Sequence, residues 1–406
     1  MAAVLPQIAP PREVSVAACF NPEFDLLLAC CDGRRPAPAN ADWERVAQLA
    51  QDHGVLARVY EALSGNTQKS ELAPLRRRYD ANLRKALLLT RELLRICDRL
   101  AAEGVKVLPY KGPALACQLY GNVAARQFSD IDLLVRRADV QRAQVVLGHI
   151  GYTRPLRLTP RQEAAYLQSG YEFTFDGALG RNLVELKWAV VPRFYAIDFN
   201  VGELFERAIE IEIGGQCLKT LSHEDALLVH CVHAAKHQWS ELSWLCDLAQ
   251  LVRVSLFDFN SVQERAIRLG INRIVETTFL LAHELLGVPL PDMIGKDKDS
   301  PALRLPQFLS KAISTRSEPD PESFAYFRAV MQSRERWQDR ARLLIRLALT
   351  PGPGEWEAVR IPDWMFALYP AVRIGRLARR LLCNPTSGAK KLDSPEPPAA
   401  VLHPPG

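Results

Sequence analysis

The stretch Phe128-Ser129-Asp130-Ile131-Asp132-Leu133-Leu134-Val135 decides the fold, because it places two carboxylates at the entrance to an apolar run. The run predicts a buried strand over 131–135, in which positions i and i+2 face the same side of a sheet. Asp130 and Asp132 would then point the same way, and burying like charges together is unfavourable unless a cation or hydrogen-bond donors compensate them. A divalent metal that carries a polyphosphate is one way to compensate them. The other interpretation is an exposed turn followed by a cap.

A strand–turn–helix passage lies about twenty residues upstream, with a strand over 105–108 and a helix over 113–120. The turn between them runs from Pro109 to Gly112, and Pro113 opens the helix. Backbone N–H groups at the start of a helix attract anions, and glycine lets a phosphate approach the backbone closely. Lys111 adds a positive charge. The passage therefore predicts a phosphate-binding turn next to the two aspartates.

A third carboxylate interrupts the apolar strand predicted over 183–188. Alternation along a strand places Glu185 and Lys187 on one face and the apolar residues between them on the other. Three acids that hold divalent ions a few ångströms apart are typical of phosphoryl transfer by two metals. Magnesium prefers carboxylates together with substrate phosphates as ligands. The pattern therefore indicates a phosphoryl-transfer site made from Asp130, Asp132 and Glu185.

At this point the chain resembles the uncharacterised nucleotidyltransferase family, part of the DNA-polymerase-β-like nucleotidyltransferase superfamily. The resemblance covers roughly residues 40–290, and the Asp-x-Asp block is its most specific part. The matching segments are Lys111-Gly112, Leu119-Tyr120-Gly121, Arg126, Ser129-Asp130-Ile131-Asp132-Leu133-Leu134-Val135, Gly151-Tyr152, Glu185-Leu186-Lys187-Trp188, His233-Ala234-Ala235-Lys236-His237-Gln238-Trp239 and Trp244-Leu245-Cys246-Asp247-Leu248. The resemblance implies an α+β fold, with a small mixed β-sheet flanked by helices, N-terminal helices and a C-terminal helical domain.

The resemblance also implies roles for individual residues. Asp130 and Asp132 would bind Mg²⁺ (or Mn²⁺), Glu185 would supply the third carboxylate, and Gly112 would lie against the triphosphate of an NTP substrate. The superfamily usually continues this glycine turn with serine or glycine. Here the next residue is Pro113, which has no N–H to donate.

Further residues are candidates for binding the nucleotide or the acceptor. They are Lys111, Gly112, Ser129, Arg126, Lys187, His233, Lys236 and His237. Several have a plainer interpretation beside the functional one. Ser129 would stabilise a turn, and Arg126 would be an exposed loop residue. His233 and His237 have a spacing that suits zinc, but no third ligand follows at a persuasive distance. These histidines and Lys236 either hold a nucleotide or acceptor, or bond Asp247 within the helical domain.

The composition is that of an ordinary globular protein, with 48% hydrophobic and 24% charged residues. The net charge of +5 is too small to indicate nucleic-acid binding by itself, and no basic face interleaved with aromatic residues is present. The nine cysteines form no C-x-x-C pair, which is typical of reduced thiols in a cytoplasmic protein. The sequence predicts neither a signal peptide nor an apolar run of about 20 residues that would span a membrane.

The predicted domain organisation follows changes in composition and in the helix and strand patterns along the chain. The segments are a flexible N-terminal segment (1–40), an N-terminal helical region (41–103), the nucleotidyltransferase core (104–221), a helical domain (222–290), a C-terminal linker with helices (291–383) and a disordered tail (384–406). One helical segment is predicted over 324–349. The basic amphipathic stretch 371–382 either packs on its own domain or docks on anionic lipid.

The function expected from these observations is transfer of a nucleoside monophosphate from an NTP to an acceptor, with release of pyrophosphate. The acceptor would be a small molecule, a sugar or a protein side chain. The alternative is a catalytically weak or inactive module that senses nucleotides or binds a partner on the same fold. In a third interpretation the helical region is the functional part, as a surface for protein interaction.

Overall fold

The computed structural model describes residues 21–36, 40–254, 257–292, 294–295, 302, 309–310, 313–314 and 323–383. The predicted disordered tail (384–406) and most of the predicted linker after residue 292 lie outside the described residues. Within the described part, no helix is long and apolar enough to cross a membrane. Seven cysteines are free thiols, namely Cys30, Cys31, Cys97, Cys117, Cys217, Cys231 and Cys246.

The centre of the fold is a mixed sheet of four strands. They are β1 (Val107–Pro109), β2 (Ile131–Val135), β3 (Glu172–Gly177) and β4 (Gly180–Lys187). The spatial order is β1-β2-β4-β3, in which β2 and β4 are parallel and the other two pairs are antiparallel. Every residue of β2 is buried, as its apolar run predicts. The predicted α+β fold with a small mixed sheet is confirmed.

Helices cover the sheet and connect its strands. Those before and within the core are α1 (Pro22–Cys31), α2 (Trp43–Asp52), α3 (Leu56–Leu63), α4 (Ala73–Ala102), α5 (Gly112–Tyr120), α6 (Val140–His149), α7 (Pro160–Ser169) and α8 (Val201–Glu206). The long helix α4 buries an apolar stripe against the sheet, where it forms one hydrophobic core with β2 and β4. Proline and a side-chain cap start α7, in which Thr159 and Gln162 form a reciprocal capping box.

A hairpin closes the core, as the two glycines at positions 214 and 215 predict. Its strands are β5 (Ile209–Ile213) and β6 (Gln216–Thr220). Gly214 and Gly215 have φ angles of 58° and 83°, which two-residue hairpin turns require and glycine adopts without strain. The hydroxyl of Thr220 donates a 2.7 Å hydrogen bond to the carbonyl of Pro109. This bond joins the end of the hairpin to β1, beside the predicted phosphate turn.

The C-terminal half is helical. Its described helices are α9 (His223–Lys236), α10 (Leu242–Val254), α11 (Phe259–Leu269), α12 (Asn272–Leu286), α13 (Phe324–Gln332), α14 (Trp337–Leu349), α15 (Pro353–Ala358) and α16 (Tyr369–Cys383). The prediction of one helical segment over 324–349 is wrong, because α13 ends at Gln332 and a separate helix, α14, begins at Trp337. Arg334 lies in this break, is almost fully buried, and donates a 3.0 Å hydrogen bond to the carbonyl of Ala196.

The N-terminal and C-terminal helices share a single hydrophobic core. It contains Phe24 and Leu27 of α1 together with Leu245 of α10 and Phe279 of α12. The predicted flexible segment 1–40 is therefore wrong over Pro22–Cys31, which is a packed helix. Asn21 caps it by accepting a hydrogen bond from the N–H of Glu23. The other predicted domain boundaries stay predictions.

Candidate functional site

The three predicted acids meet at one edge of the sheet. Asp132 on β2 lies opposite Glu185 on the parallel strand β4, and Asp130 directly precedes β2. One carboxylate oxygen from each residue can be chosen so that all three lie within 4.8 Å of one another. Asp132 is buried, whereas Asp130 and Glu185 are half-buried. The register of two parallel strands thus brings together side chains that are 55 positions apart, Asp130 and Glu185, around a possible ion position.

Two lysines lie against the same carboxylates. The Nζ atom of Lys187 is 2.9 Å from Oδ1 of Asp132 and 2.6 Å from Oε2 of Glu185. It is also 3.0 Å from Oε2 of Glu172, on the neighbouring strand β3. Lys111 is more distant, with its Nζ atom 3.4 Å from Oδ1 of Asp132. The structure therefore places Lys187 among the acids, and a direct contact of this lysine with a nucleotide stays a prediction.

The three carboxylates differ in their affinity for protons. Burial alone would raise the pKa of Asp132, but Lys111 and Lys187 overcome it and the pKa is lowered. Burial, together with the charge of Asp132, raises the pKa of Asp130. Burial raises the pKa of Glu185 to about 7, even though Lys187 opposes the shift. The two lysines thus compensate the acids only in part. A set of oxygen ligands whose negative charge is only partly compensated fits a hard divalent cation such as Mg²⁺ or Mn²⁺.

The predicted phosphate turn lies directly beside Asp130. Lys111 is extended, and α5 begins at Gly112, whose φ of 51° is in the left-handed region. A Cβ atom added to Gly112 would lie 3.2 Å from the carbonyl oxygen of Asp130. Glycine is therefore required here both by its backbone angle and by the close approach of the next chain. That Gly112 lies against a triphosphate stays a prediction.

Replacing Gly112 by alanine is expected to lower the free energy of unfolding by about 2 kcal/mol, since a left-handed non-glycine residue costs about 1 to 2 kcal/mol and the new methyl group adds a clash. Gly121, at the other end of α5, is a matched control with a φ of 62° and open space around its Cβ position. Gly121→Ala should cost only about 1 kcal/mol, the backbone term. Urea unfolding measures both, and equal losses would show that the approach to Asp130 is unimportant.

Helix α9 forms another wall of the site and carries His233 and Lys236, and His237 follows it directly as its C-cap. The Nζ atom of Lys236 lies 3.4 Å from the hydroxyl of Tyr171, and burial lowers its pKa to about 8. The rings of His233 and His237 are 4.8 Å apart, and both pack on Trp244 at 5.4 and 5.5 Å. Burial first, and then the nearby lysines, lowers the pKa of His237 to about 4. The two histidines are therefore neutral and pack on Trp244, which explains their spacing without a zinc ion. Among the described residues, the group with metal-site geometry is the acid cluster.

Among the described residues, Asp247 accepts its side-chain hydrogen bonds from Tyr120 and Arg126, and not from His233, Lys236 or His237. Its Oδ2 atom accepts a 2.8 Å hydrogen bond from Nε of Arg126, and its Oδ1 atom accepts one of 2.7 Å from the hydroxyl of Tyr120. Both members of the Arg126–Asp247 ion pair are largely buried. The interpretation of Arg126 as an exposed loop arginine is therefore wrong. A contact of this arginine with a phosphate or acceptor stays a prediction.

Ser129 is exposed and lies at the rim of an open cavity of about 700 Å³. The opposite wall belongs to α4, which contributes Arg77, Arg78 and Lys85, and acidic residues such as Glu44 also line it. The cavity runs from the N-terminal helices to the loop that precedes Asp130. Its lining ends at Ser129, the residue before Asp130, and does not include the three acids.

Sequence reasoning missed several residues of the site. Glu172 lies opposite Lys187 in the register of β3 and β4, so correct strand pairing would have identified it. Tyr110 is buried next to Lys111, and its hydroxyl has no hydrogen-bond partner among the described residues. Nothing in the sequence marks Tyr171, which packs beneath Lys187 and Lys236 with both Nζ atoms within 5.6 Å of its ring centre.

The sequence model of the family described as "Uncharacterised nucleotidyltransferase" matches residues 39–287, more than half of the chain. The chain belongs to this family. The matched range contains the whole sheet, the acid cluster and helices α9 to α12. The resemblance read from the motifs is thus confirmed, and the roles of individual site residues stay predictions.

Comparison with solved structures gives one similar chain, the crystal structure of an antigenic nucleotidyltransferase-like protein from Paracoccidioides brasiliensis. The two sequences are 14% identical, and the TM-score is 0.29. The match covers 50% of this nucleotidyltransferase family member and 93% of the fungal chain. No curated protein matches the sequence.

Proposed function

We propose that this chain is a metal-dependent nucleotidyltransferase that moves a nucleoside monophosphate from an NTP to an acceptor and releases pyrophosphate. The observation that carries the proposal is the convergence of Asp130, Asp132 and Glu185 within 4.8 Å in a member of a nucleotidyltransferase family. Nothing in the packing of the sheet requires three acids at one edge. Burial of like charges costs free energy that a bound cation offsets.

In the proposed reaction an acceptor oxygen forms a bond to the α-phosphorus of the NTP. The bond from that phosphorus to the bridging oxygen breaks, and pyrophosphate leaves with its electron pair. Bound Mg²⁺ or Mn²⁺, held by Asp130 and Asp132 beside Glu185, would neutralise charge on the phosphates. Glu185, the third acid of the cluster, accepts the acceptor's proton. Lys111 supplies a positive charge toward the triphosphate.

We place the acceptor in the open cavity that borders Ser129. The cavity volume of about 700 Å³ matches a small molecule or the end of a side chain. Its lining carries both signs of charge, from Arg77 and Lys85 and from Glu44. This lining favours a polar acceptor over an apolar one.

A second function, nucleotide binding without turnover, is favoured by one specific observation. Pro113 follows Gly112 and cannot donate an N–H to a phosphate. A module of this kind would bind an NTP through the same acids and lysines and release no pyrophosphate.

One experiment separates the two functions. The purified chain is mixed with each of the four NTPs and Mg²⁺ or Mn²⁺, and binding is measured by calorimetry alongside pyrophosphate release. Hydrolytic or self-directed transfer releases pyrophosphate even before the acceptor is known. Binding with release supports the transferase, and binding without release supports the sensor. A chain that binds none of the NTPs contradicts both.

A further inference from the structure

We infer that the ammonium group of Lys187 takes the place of the second divalent cation, so that this site binds one metal ion and not two. The inference rests on the proposed function, since it concerns how the same acids are occupied. It starts from the position of Nζ, which lies within 3.0 Å of oxygens from Asp132, Glu185 and Glu172. These contacts include two of the three acids of the cluster and leave out Asp130.

The contacts of Lys187 coincide with those that a cation shared by Asp132 and Glu185 would make. Magnesium lies about 2.1 Å from its oxygen ligands and needs a nearly octahedral shell. An ion bound to the same two oxygens would therefore overlap with the ammonium group or be repelled by it at close range. A cation held by Asp130 and the remaining oxygen of Asp132 avoids that conflict.

The fold keeps Lys187 where it is. The residue lies on β4, a central strand whose register with both β2 and β3 fixes the position of its backbone. Only 4% of its side chain is exposed, and the ring of Tyr171 lies 5.6 Å from Nζ. Glu172 pairs with Lys187 in the strand register, and its carboxylate, which is not one of the three acids, forms an ion pair with the ammonium group. The ammonium group is thus a built-in part of the site.

The charges also disfavour a second divalent ion. Asp130, Asp132, Glu172 and Glu185 face three ammonium groups, those of Lys111, Lys187 and Lys236, which leaves a formal charge of −1. One divalent cation already outweighs that charge, and a second would leave a larger positive excess in a half-buried site before any phosphate is bound.

The test counts bound Mn²⁺ directly by electron paramagnetic resonance, with and without a non-hydrolysable NTP analogue. The unmodified chain is expected to bind one Mn²⁺ in each case. Lys187→Met, which removes the charge and keeps the length of the side chain, is expected to bind a second ion at least about tenfold more tightly. Two ions held about 3.5 to 4 Å apart by shared carboxylates give an exchange-coupled signal, which a single ion lacks.

Lys219→Met is the matched control, because Lys219 is an exposed lysine on β6. It should leave the count at one. If Lys187→Met does not fold, Lys187→Gln removes the charge and keeps a polar head, and the count for the unmodified chain decides independently of either variant. Two ions on the unmodified chain would overturn the inference and leave the proposed function intact. Failure to bind Mn²⁺ under either condition would contradict the proposed function itself.

Discussion

Asp247→Ala is expected to lower the free energy of unfolding by about 3 to 5 kcal/mol, the cost of removing one partner from a buried ion pair. Asp247 accepts hydrogen bonds from Nε of Arg126 and from the hydroxyl of Tyr120, and only 2% of its side chain is exposed. Alanine would leave a buried guanidinium and a buried hydroxyl without this acceptor. Because Asp247 lies on α10 and its partners lie in the core, the loss should loosen the contact between the two parts.

Urea unfolding with circular dichroism measures the loss, and Asp198→Ala is the matched control. Asp198 also binds an arginine through both oxygens, at 2.6 and 2.8 Å from Arg346, but 57% of its side chain is exposed. An exposed pair contributes about 1 kcal/mol or less. The double variant Arg126→Met/Asp247→Leu removes both charges and should recover much of the stability that Asp247→Ala loses. Equal losses for Asp247→Ala and Asp198→Ala would contradict the assigned role.

The sheet and its acids could be predicted because their signals are local. The apolar run Ile131–Val135 matches β2 residue for residue, and period-two alternation placed Glu185 and Lys187 on the same face of β4. The glycine pair at 214 and 215 identified the hairpin by the backbone angles that its turn demands. In each case a few adjacent residues determine both the element and the direction of its side chains.

The parts that could not be predicted depend on contacts between distant segments. Helix α1 lies in a Pro- and Ala-rich stretch, and its burial depends on the C-terminal helices that share its core. The pairing of Arg126 with Asp247 joins positions 121 residues apart. The alternation of residues along the strand correctly predicted that Lys187 and Glu185 lie on the same face of β4. Only the register of β3 with β4 shows that Glu172 and the acid cluster surround its ammonium group.

Asp130→Asn is expected to reduce NTP-dependent release of pyrophosphate by about a thousandfold, equivalent to about 4 kcal/mol of transition-state stabilisation. Asp130 is the most informative position for this test, because its replacement does not remove a contact of Lys187. That lysine contacts Asp132, Glu185 and Glu172. Replacing Asp132 would also deprive two buried lysines of a partner. The asparagine keeps the size of the side chain and removes a charge that the metal needs.

The same substitution should leave the fold intact or make it slightly more stable. Burial and the charge of Asp132 raise the pKa of Asp130, so the ionised carboxylate is unfavourable when no cation is bound. Asp80→Asn on α4 is the matched control, since 45% of the Asp80 side chain is exposed and its contact with Arg76 is a long 3.8 Å. It should change neither turnover nor stability.

If Asp130→Asn releases pyrophosphate as fast as the unmodified chain while binding Mn²⁺ equally well, Asp130 is not a ligand of the catalytic metal. Lost turnover with normal thermal unfolding is the result that a metal ligand requires and a merely structural aspartate would not give.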